Sequence, residues 1–385
     1  MGATRARRVP RWAFWCVVIG SLLVTGSGVA VAGTRVALHT ATEGVKQQSL
    51  LGEAGPPKAE RKRVSVKGAK TILLVGLDTR PGQDPSKLTR SDSIILLHVP
   101  AGHDKAYLVS LPRDSYVRIP AFDNGGQPYA GGKNKINAAF AYGSRGLSGD
   151  AALTGGFTLL AKTIKSLTGI TPDAGAIIDF PGFRHVVDVL GKVCMYVDED
   201  TTSIHIGTDK RTGKRAAPYK INPDGTLNHK IRGVTANFYA KGNHCFTPTE
   251  ALDFVRQRDL LANDDYDYGR QRHQQQFLKA IMKNIMDSGL DSPTKLPGLL
   301  SALGQTMTVD DGGIPLADWA FALRAIRPED LITIKTNNGT FNSRDVPGVG
   351  SAEILDETSL DLLKAVKNDT VDDFVRANPT WVTKS

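Results

Sequence analysis

The chain is poor in the residues that usually announce a chemistry. Its 385 residues include three cysteines, eight histidines, four tryptophans and five methionines, and aromatic side chains make up 7%. No cysteines or histidines stand at the spacing of a zinc site and no H-E-x-x-H helix is present, so nothing local in the sequence spells a zinc enzyme. No G-x-S-x-G elbow presents a serine, and no Walker-type glycine loop cradles a nucleotide phosphate. These absences set aside α/β-hydrolases and P-loop NTPases. There is no internal repeat, hence no stacked solenoid.

The bulk of the chain also lacks an excess of charge of either sign. The net charge is +9, but residues 1–70 hold 12 of the 48 Lys/Arg and 3 of the 39 Asp/Glu, leaving 36 of each in the remainder. A nucleic-acid binder carries its basic surplus on the folded body. Here the surplus sits in a tail and linker, and no nucleic-acid partner is expected.

What the N-terminal region does have is one uncharged run. Residues 12–34 contain no Asp, Glu, Lys or Arg and are rich in Val, Leu, Ile, Ala and Gly. About 20 apolar residues cross a bilayer, so the run is long enough to be a transmembrane helix. Arg5, Arg7, Arg8 and Arg11 precede it, which places the N-terminus in the cytoplasm and the rest outside. A cleavable signal peptide is the alternative, with Ala30-Val31-Ala32 as its small-residue cleavage site. Either way the body is exported. Cys16 falls inside the run. Cys194 and Cys245 remain as a pair in an oxidising compartment, either joined in a disulfide or standing as two separate buried thiols. The disulfide is the more economical reading, and would close a loop of about 50 residues.

Residues 35–69 read as a basic linker, with Gly55-Pro56-Pro57 ahead of a lysine and arginine run and little apolar periodicity. Beyond it, short apolar runs at residues 72–75, 93–99, 106–110 and 176–180 read as buried strands. Helical patterns at 138–142 and 157–167 alternate with them, which argues for an α/β sheet layer. Residues 198–245 are polar and read as a hairpin excursion. Thr247-Pro248-Thr249-Glu250 is a capping box with proline at the first helical position. Later segments, 316–325 and 360–366, are helical in pattern, 331–336 is strand-like, and Gly348-Val349-Gly350 marks a turn.

What recurs at the ends of the apolar runs is arginine with aspartate: Asp78 and Arg80, Arg90 and Asp92, Arg113 and Asp114. Ligand sites in α/β sheets gather at strand ends, so the three pairs can converge; taken singly, each is an ordinary solvated turn. Arg256 and Arg258 follow a helix from residue 248 to 254. Residues two apart on a helix point away from each other, so both face one ligand only if the chain is extended there. Asp267 and Arg270 open an amphipathic helix whose stripe includes Phe277, Leu278, Ile281, Met282, Ile285 and Met286. Arg270 and Gln274 continue that stripe, and an arginine on an inward face requires a partner. Lys135 is within reach of a phosphate, and Asn137 reads more strongly as the N-cap of the next helix than as a ligand.

Taken together in this order, Gly76-x-Asp78-x-Arg80, Arg90-Ser91-Asp92, Pro112-Arg113-Asp114, Lys135-Ile136-Asn137, Arg256-x-Arg258 and Asp267-x-x-Arg270 with Gln274-Gln275 resemble the LytR-CpsA-Psr family of cell-wall glycopolymer ligases. The likeness covers residues 72–285. It implies a mixed central β-sheet flanked by helices, an α/β/α-like fold with an apolar groove for a polyprenyl chain. It also implies a phosphotransferase that moves a glycosyl-phosphate polymer, such as teichoic acid or arabinogalactan, from a polyprenyl-pyrophosphate carrier to a muramic acid hydroxyl of peptidoglycan. On the resemblance, Asp78 and Asp92 are the ligands of Mg²⁺ (or Mn²⁺). Arg90, Arg113, Arg256, Arg258, Arg270 and Gln274 hold the pyrophosphate, with Arg80, Lys135 and Asn137 beside them. Asp114 and Asp267 orient arginines, and Asp92 or Asp114 takes the acceptor proton. One departure stands out: His273 lies where many relatives carry arginine, with Arg272 adjacent.

The expected organisation is a cytoplasmic tail (1–11), a transmembrane anchor (12–34), the basic linker (35–69), a catalytic domain (70–290) and a C-terminal extension packed on it (291–385), in a single-pass membrane protein facing outward. The same residues suit two other readings. One is a pyrophosphatase acting on polyprenyl-pyrophosphate lipids. The other is a non-catalytic envelope sensor of lipid-linked polymers, although pure anion binding gains nothing from carboxylates beside phosphate.

Overall fold

The computed structural model describes residues 45–56, 66–78, 89–222, 227–287, 304 and 307–383. Among these no helix is long and apolar enough to cross a membrane. The expected anchor, residues 12–34, and Arg80 lie outside the described residues.

The strands form where apolar residues cluster. In chain order, β1 (Lys46–Gln47), β2 (Lys70–Leu77), β3 (Ser91–Val99) and β4 (Ala106–Ser110) precede a hairpin of β5 (Tyr116–Ile119) and β6 (Gly132–Lys135). Helices α1 (Ala138–Gly143) and α2 (Gly149–Thr168) lead to β7 (Ala174–Asp179) and α3 (Phe180–Val189). Next come β8 (Val193–Val197), β9 (Thr201–Asp209), β10 (Arg215–Ala216), β11 (Tyr219–Ile221), β12 (Leu227–Lys230), β13 (Val234–Tyr239) and β14 (Gly242–Phe246). Helices α4 (Pro248–Phe254) and α5 (Tyr266–Asp287) follow, then β15 (Met307–Asp310), α6 (Leu316–Leu323) and β16 (Leu331–Lys335). The hairpin β17 (Ser343–Val346) and β18 (Gly350–Glu353) and helices α7 (Glu357–Asn368) and α8 (Val371–Ala377) complete the described elements.

Seven of the described strands form one mixed sheet in the order β1-β15-β7-β2-β3-β4-β16. The β2–β3, β3–β4 and β7–β15 pairs are antiparallel, while β2–β7 and β4–β16 are parallel. The mixed sheet with flanking helices agrees with the fold class read from the sequence.

The sheet has two apolar faces, and they do different things. On one, Leu73, Val75 and Leu77 of β2 pack with Phe157, Leu160 and Ile164 of α2 in the main core, all at most 2% exposed. Burying such side chains contributes ~1.5–3 kcal/mol each. On the other, Leu74 stands directly across from Ile95 and Ala176, and Gly76 from Ser93 and Ile178. Side chains alternate along a strand, so these share one face. That face lines a cavity.

Three expectations about organisation change. Residues 45–56, expected within a linker, belong to the body. β1 pairs with β15, the Leu51 N–H donates to Asp310 at 2.8 Å, and Leu50 and Leu51 are fully buried against the α2 side of the core. The linker reading failed because a two-residue strand and two leucines are too short to show periodicity. The C-terminal region is not simply packed on the domain, since β15 and β16 are strands of the central sheet. The polar excursion is more than a hairpin: β9 pairs with β10 and β13, and β11 with β12. At its base β8 and β14 pair in a register that sets Cys194 opposite Cys245, with the sulfurs 1.98 Å apart.

Candidate active site

Each charged motif is delivered by the end of an element. β2 ends at Leu77 and presents Asp78; Arg90 and Asp92 bracket the start of β3. β4 runs into Arg113 and Asp114. Helix α4 starts at the expected capping box, with the Thr247 hydroxyl and the Glu250 carboxylate each satisfying the other's backbone N–H. It stops at Phe254, and residues 257 and 258 carry no helix. The chain therefore does leave the helix, and Arg256 and Arg258 both line the cavity.

Gln257, between them, faces the opposite way and is fully buried. Its amide donates to Asp253 Oδ1 at 2.8 Å and accepts from the Ile204 N–H at 3.1 Å, while the Ser203 hydroxyl donates to the same Asp253 oxygen. This buried network fixes the turn after α4, where the Arg256 and Gln257 N–H groups donate to the Asp253 and Phe254 carbonyls, and so sets both arginines on the cavity. Sequence reasoning passed over Gln257, whose partner Ser203 lies 54 residues away in the chain. The turn from Arg258 to Asp267 holds left-handed φ at Leu260 (51°), Asp264 (53°) and Tyr266 (40°), a strained path into α5.

The cavity measures about 960 Å³. Leu74, Ile95 and Ile178 of the sheet and Phe183, Phe277 and Ile281 of the helices supply apolar wall. Asp78, Arg90, Asp92, Arg113, Arg256, Arg258, Arg270 and Gln274 line the same space. The excursion closes another side with Ile204, His205 and Ile221, a contribution with no signal in its polar composition.

Arg113 is the hub. Its Nη1 donates to Asp92 Oδ1 at 2.9 Å, and its Nε lies 3.4 Å from Asp267 Oδ2 and 3.7 Å from Asp114 Oδ2. Burial works against the Arg113 charge, but Asp267, Asp92 and Asp114 outweigh it and hold the guanidinium above its ordinary pKa. Arg270, 6% exposed, lies 3.2 Å from Asp267 Oδ1 and donates to the Asp92 carbonyl oxygen at 3.2 Å. The partner expected for a buried arginine is present. Burial nevertheless lowers its pKa, aggravated by Arg113 and Arg258 and only partly offset by Asp267 and Asp92. Asp267 is held below the usual carboxylate range because Arg270, Arg113 and Arg258 overcome its burial. The Nε groups of Arg113 and Arg270 are buried and make no hydrogen bond.

Some expected ligands stand one layer back. Asp114 and Asp267 do not line the cavity but lie against Arg113, and Lys135 Nζ reaches Asp114 Oδ1 at 3.3 Å rather than the cavity. Gln274 lines the cavity, yet its amide is engaged: it accepts from Ser93 Oγ at 2.8 Å and donates to the Val255 carbonyl at 3.3 Å. Asn137 holds the N-cap position of α1, but its side chain caps nothing and its buried Oδ1 makes no hydrogen bond. Its backbone is already helical (φ −63°, ψ −24°), whereas a capping side chain needs an extended cap residue.

Guanidinium groups and carboxylates at strand ends thus meet beside an apolar wall on a mixed α/β scaffold. The chain belongs to the LytR_cpsA_psr family, which it matches over residues 34–361. It is 27% identical over 274 residues to the regulatory protein MsrR of Staphylococcus aureus, covering 70% of this chain and 66% of that one, a little under two thirds. It is 25% identical over 306 residues to the polyisoprenyl-teichoic acid–peptidoglycan teichoic acid transferase TagU of Oceanobacillus iheyensis, covering 78% of this chain and 77% of that one. Its fold is that of protein gbs0355 from Streptococcus agalactiae, with a TM-score of 0.54 and 23% identity over 79% of this chain and 88% of that one.

Proposed function

We propose that this chain is an extracytoplasmic phosphotransferase, held by a single N-terminal membrane span, that moves a glycosyl-phosphate polymer from a polyprenyl-pyrophosphate carrier to a hydroxyl of peptidoglycan. The observation that carries the reading is the meeting of Arg113, Arg256, Arg258 and Arg270 on one cavity that also has an apolar wall of Leu74, Ile95, Ile178, Phe183, Phe277 and Ile281. A diphosphate joined to a prenyl chain presents this pairing of multiple negative charge with a long hydrocarbon. The name of the TagU relative, a transferase between a polyisoprenyl-linked polymer and peptidoglycan, supports the same substrate classes.

The chemistry follows from the residues. The acceptor oxygen attacks the phosphorus that bears the sugar, and the bond from that phosphorus to the bridging oxygen of the carrier breaks. Prenyl phosphate leaves, and the acceptor proton passes to a carboxylate on the cavity. Asp92 lines the cavity and Asp114 does not, so Asp92 is the better placed of the two. Arg113, Arg256, Arg258 and Arg270 line the cavity, and guanidinium forks fit phosphate oxygens. Held in low dielectric, such donors stabilise charge developing on the leaving phosphate; removing one costs ~10²–10³ in rate. Asp78 and Asp92 are hard oxygen donors on one cavity and fit Mg²⁺, which needs one or two carboxylates plus substrate oxygens. When bound, the ion would neutralise phosphate charge.

The test is to incubate the full chain with defined lipid-linked donors and peptidoglycan oligomers and weigh the products. A conjugate bearing the polymer phosphate supports the reading. Donor cleaved without conjugate assigns a pyrophosphatase, and donor bound but unconsumed assigns a sensor. Turnover unchanged in Asp92→Ala, or in excess EDTA, removes the metal from the scheme.

A further inference from the structure

A second charged cluster lies on the other side of α5 and outside the cavity. Arg270 and Gln274 face the cavity; His273, between them, is fully buried against Phe254, ring centroids 4.3 Å apart. Its Nε2 lies 3.3 Å from Glu199 Oε1 and 3.7 Å from Asp198 Oδ1. Neither ring nitrogen makes a hydrogen bond, nor does Asp198 Oδ1. One nitrogen and two carboxylate oxygens thus lie within 4.8 Å of one another just beyond the end of β8.

We propose that Asp198, Glu199 and His273 form a binding site for a zinc-class divalent ion, distinct from the Asp78–Asp92 pair. Ligands at ~2.0–2.1 Å from a tetrahedral ion are ~3.3–3.4 Å apart, so the distances from His273 are close to two edges of such a site. Imidazole among the donors selects zinc-like ions over magnesium.

Charge supports the same assignment. Arg272 is the resident cation: its Nε lies 2.7 Å from Asp198 Oδ2, and its other nitrogens bond Glu199 and Asp265. It takes Asp198 Oδ2 and leaves Oδ1, but its Nη2 bonds the same Glu199 Oε1 that faces His273, so an ion shares that oxygen with Arg272, which Asp265 holds from the other side. Lys335 adds a second positive charge on the Asp265 side. Three carboxylates still face two cations. An ion here ties the end of β8, four residues past Cys194, to the helix that aims Arg270, and the inference does not rest on the transfer reading.

The test is Co²⁺ titration of the chelator-stripped full chain in detergent, read by visible absorption. The expected result is an intense band of four-coordinate Co²⁺ that saturates at one equivalent and is displaced by Zn²⁺. Affinity falls at least tenfold in both His273→Gln and Asp198→Asn and is unchanged in Asp92→Asn. Asp198 is 25% exposed, so its variant carries the test if His273→Gln does not fold. Absence of the band, its survival in Asp198→Asn, or its loss in Asp92→Asn overturns the proposal.

Discussion

Asp267→Asn isolates the electrostatics of the arginine site, because it removes one charge and almost no volume. The Asp267 side chain is 15% exposed and lies 3.4 Å from Arg113 and 3.2 Å from Arg270. Removing one partner from a buried ion pair costs about 3–5 kcal/mol, since the other charge remains buried. Two guanidiniums lose their carboxylate here, though Arg113 keeps Asp92 and Asp114, so we expect a loss of about 3 kcal/mol, at the low end. Urea denaturation followed by tryptophan fluorescence reads it as a lower midpoint at unchanged slope. The same variant should answer more strongly to anions. Inorganic pyrophosphate should raise its midpoint further than it raises that of the unaltered chain, because a ligand that binds only the folded state stabilises by mass action.

The acid limb gives a second reading of the same residue. Its folded pKa is depressed below the ordinary 3.8, so its stabilisation is fully present above that value and is lost as pH falls through the folded pKa. The variant should lack this part of the acid slope. A midpoint change under about 0.5 kcal/mol, the size of a surface substitution, or equal response of both proteins to pyrophosphate, would refute the account of the hub.

Other perturbations test the frame around the site. In Gly76→Ala the new methyl meets the Ser93 Cβ at 2.9 Å; overpacking costs ~1–3 kcal/mol, and displacement of Ser93 from Gln274 should lower turnover more than it lowers thermal stability. A chain cut at residue 70 loses β1 with Leu50 and Leu51, a deficit of ~3–6 kcal/mol from the two leucines alone, so it should melt earlier or aggregate where a chain starting at residue 45 does not. A non-reduced digest should yield a Cys194–Cys245 peptide by mass spectrometry, and Cys194→Ser should cost ~3–4 kcal/mol for a 51-residue separation; two alkylatable thiols would exclude the bond.

Legibility from sequence followed the range of the interactions. Residues 106–110 read as a strand and β4 is that strand, because the apolar run from Ala106 to Val109, closed by the buried Ser110, is covered on both faces. The break after Phe254 was legible as a condition, since two arginines at i and i+2 reach one ligand only off the helix. The clasp that enforces the break was not, because Ser203 lies 54 residues from Gln257 and no local pattern joins them. Asp198, Glu199 and His273 were invisible as a cluster for the same reason. Asn137 shows the opposite error: residue type favoured a cap, and the backbone angle, which sequence does not carry, removed it.

The coexistence of apolar wall and buried charge is not incidental. An arginine such as Arg270 on a helix face that becomes wall lower down loses its hydration, and water would weaken the grip of Arg113 and its neighbours on any anion. Walls of Leu74, Ile95, Ile178 and Phe277 keep the dielectric low where the guanidiniums act, so on the proposed function each contact with phosphate would be stronger than on an open surface. The cost is that the arginines must be held charged and in place without ligand. Asp92, Asp114 and Asp267 do this by sharing themselves over Arg113 and Arg270, and they leave Nε donors unfilled rather than satisfying every one.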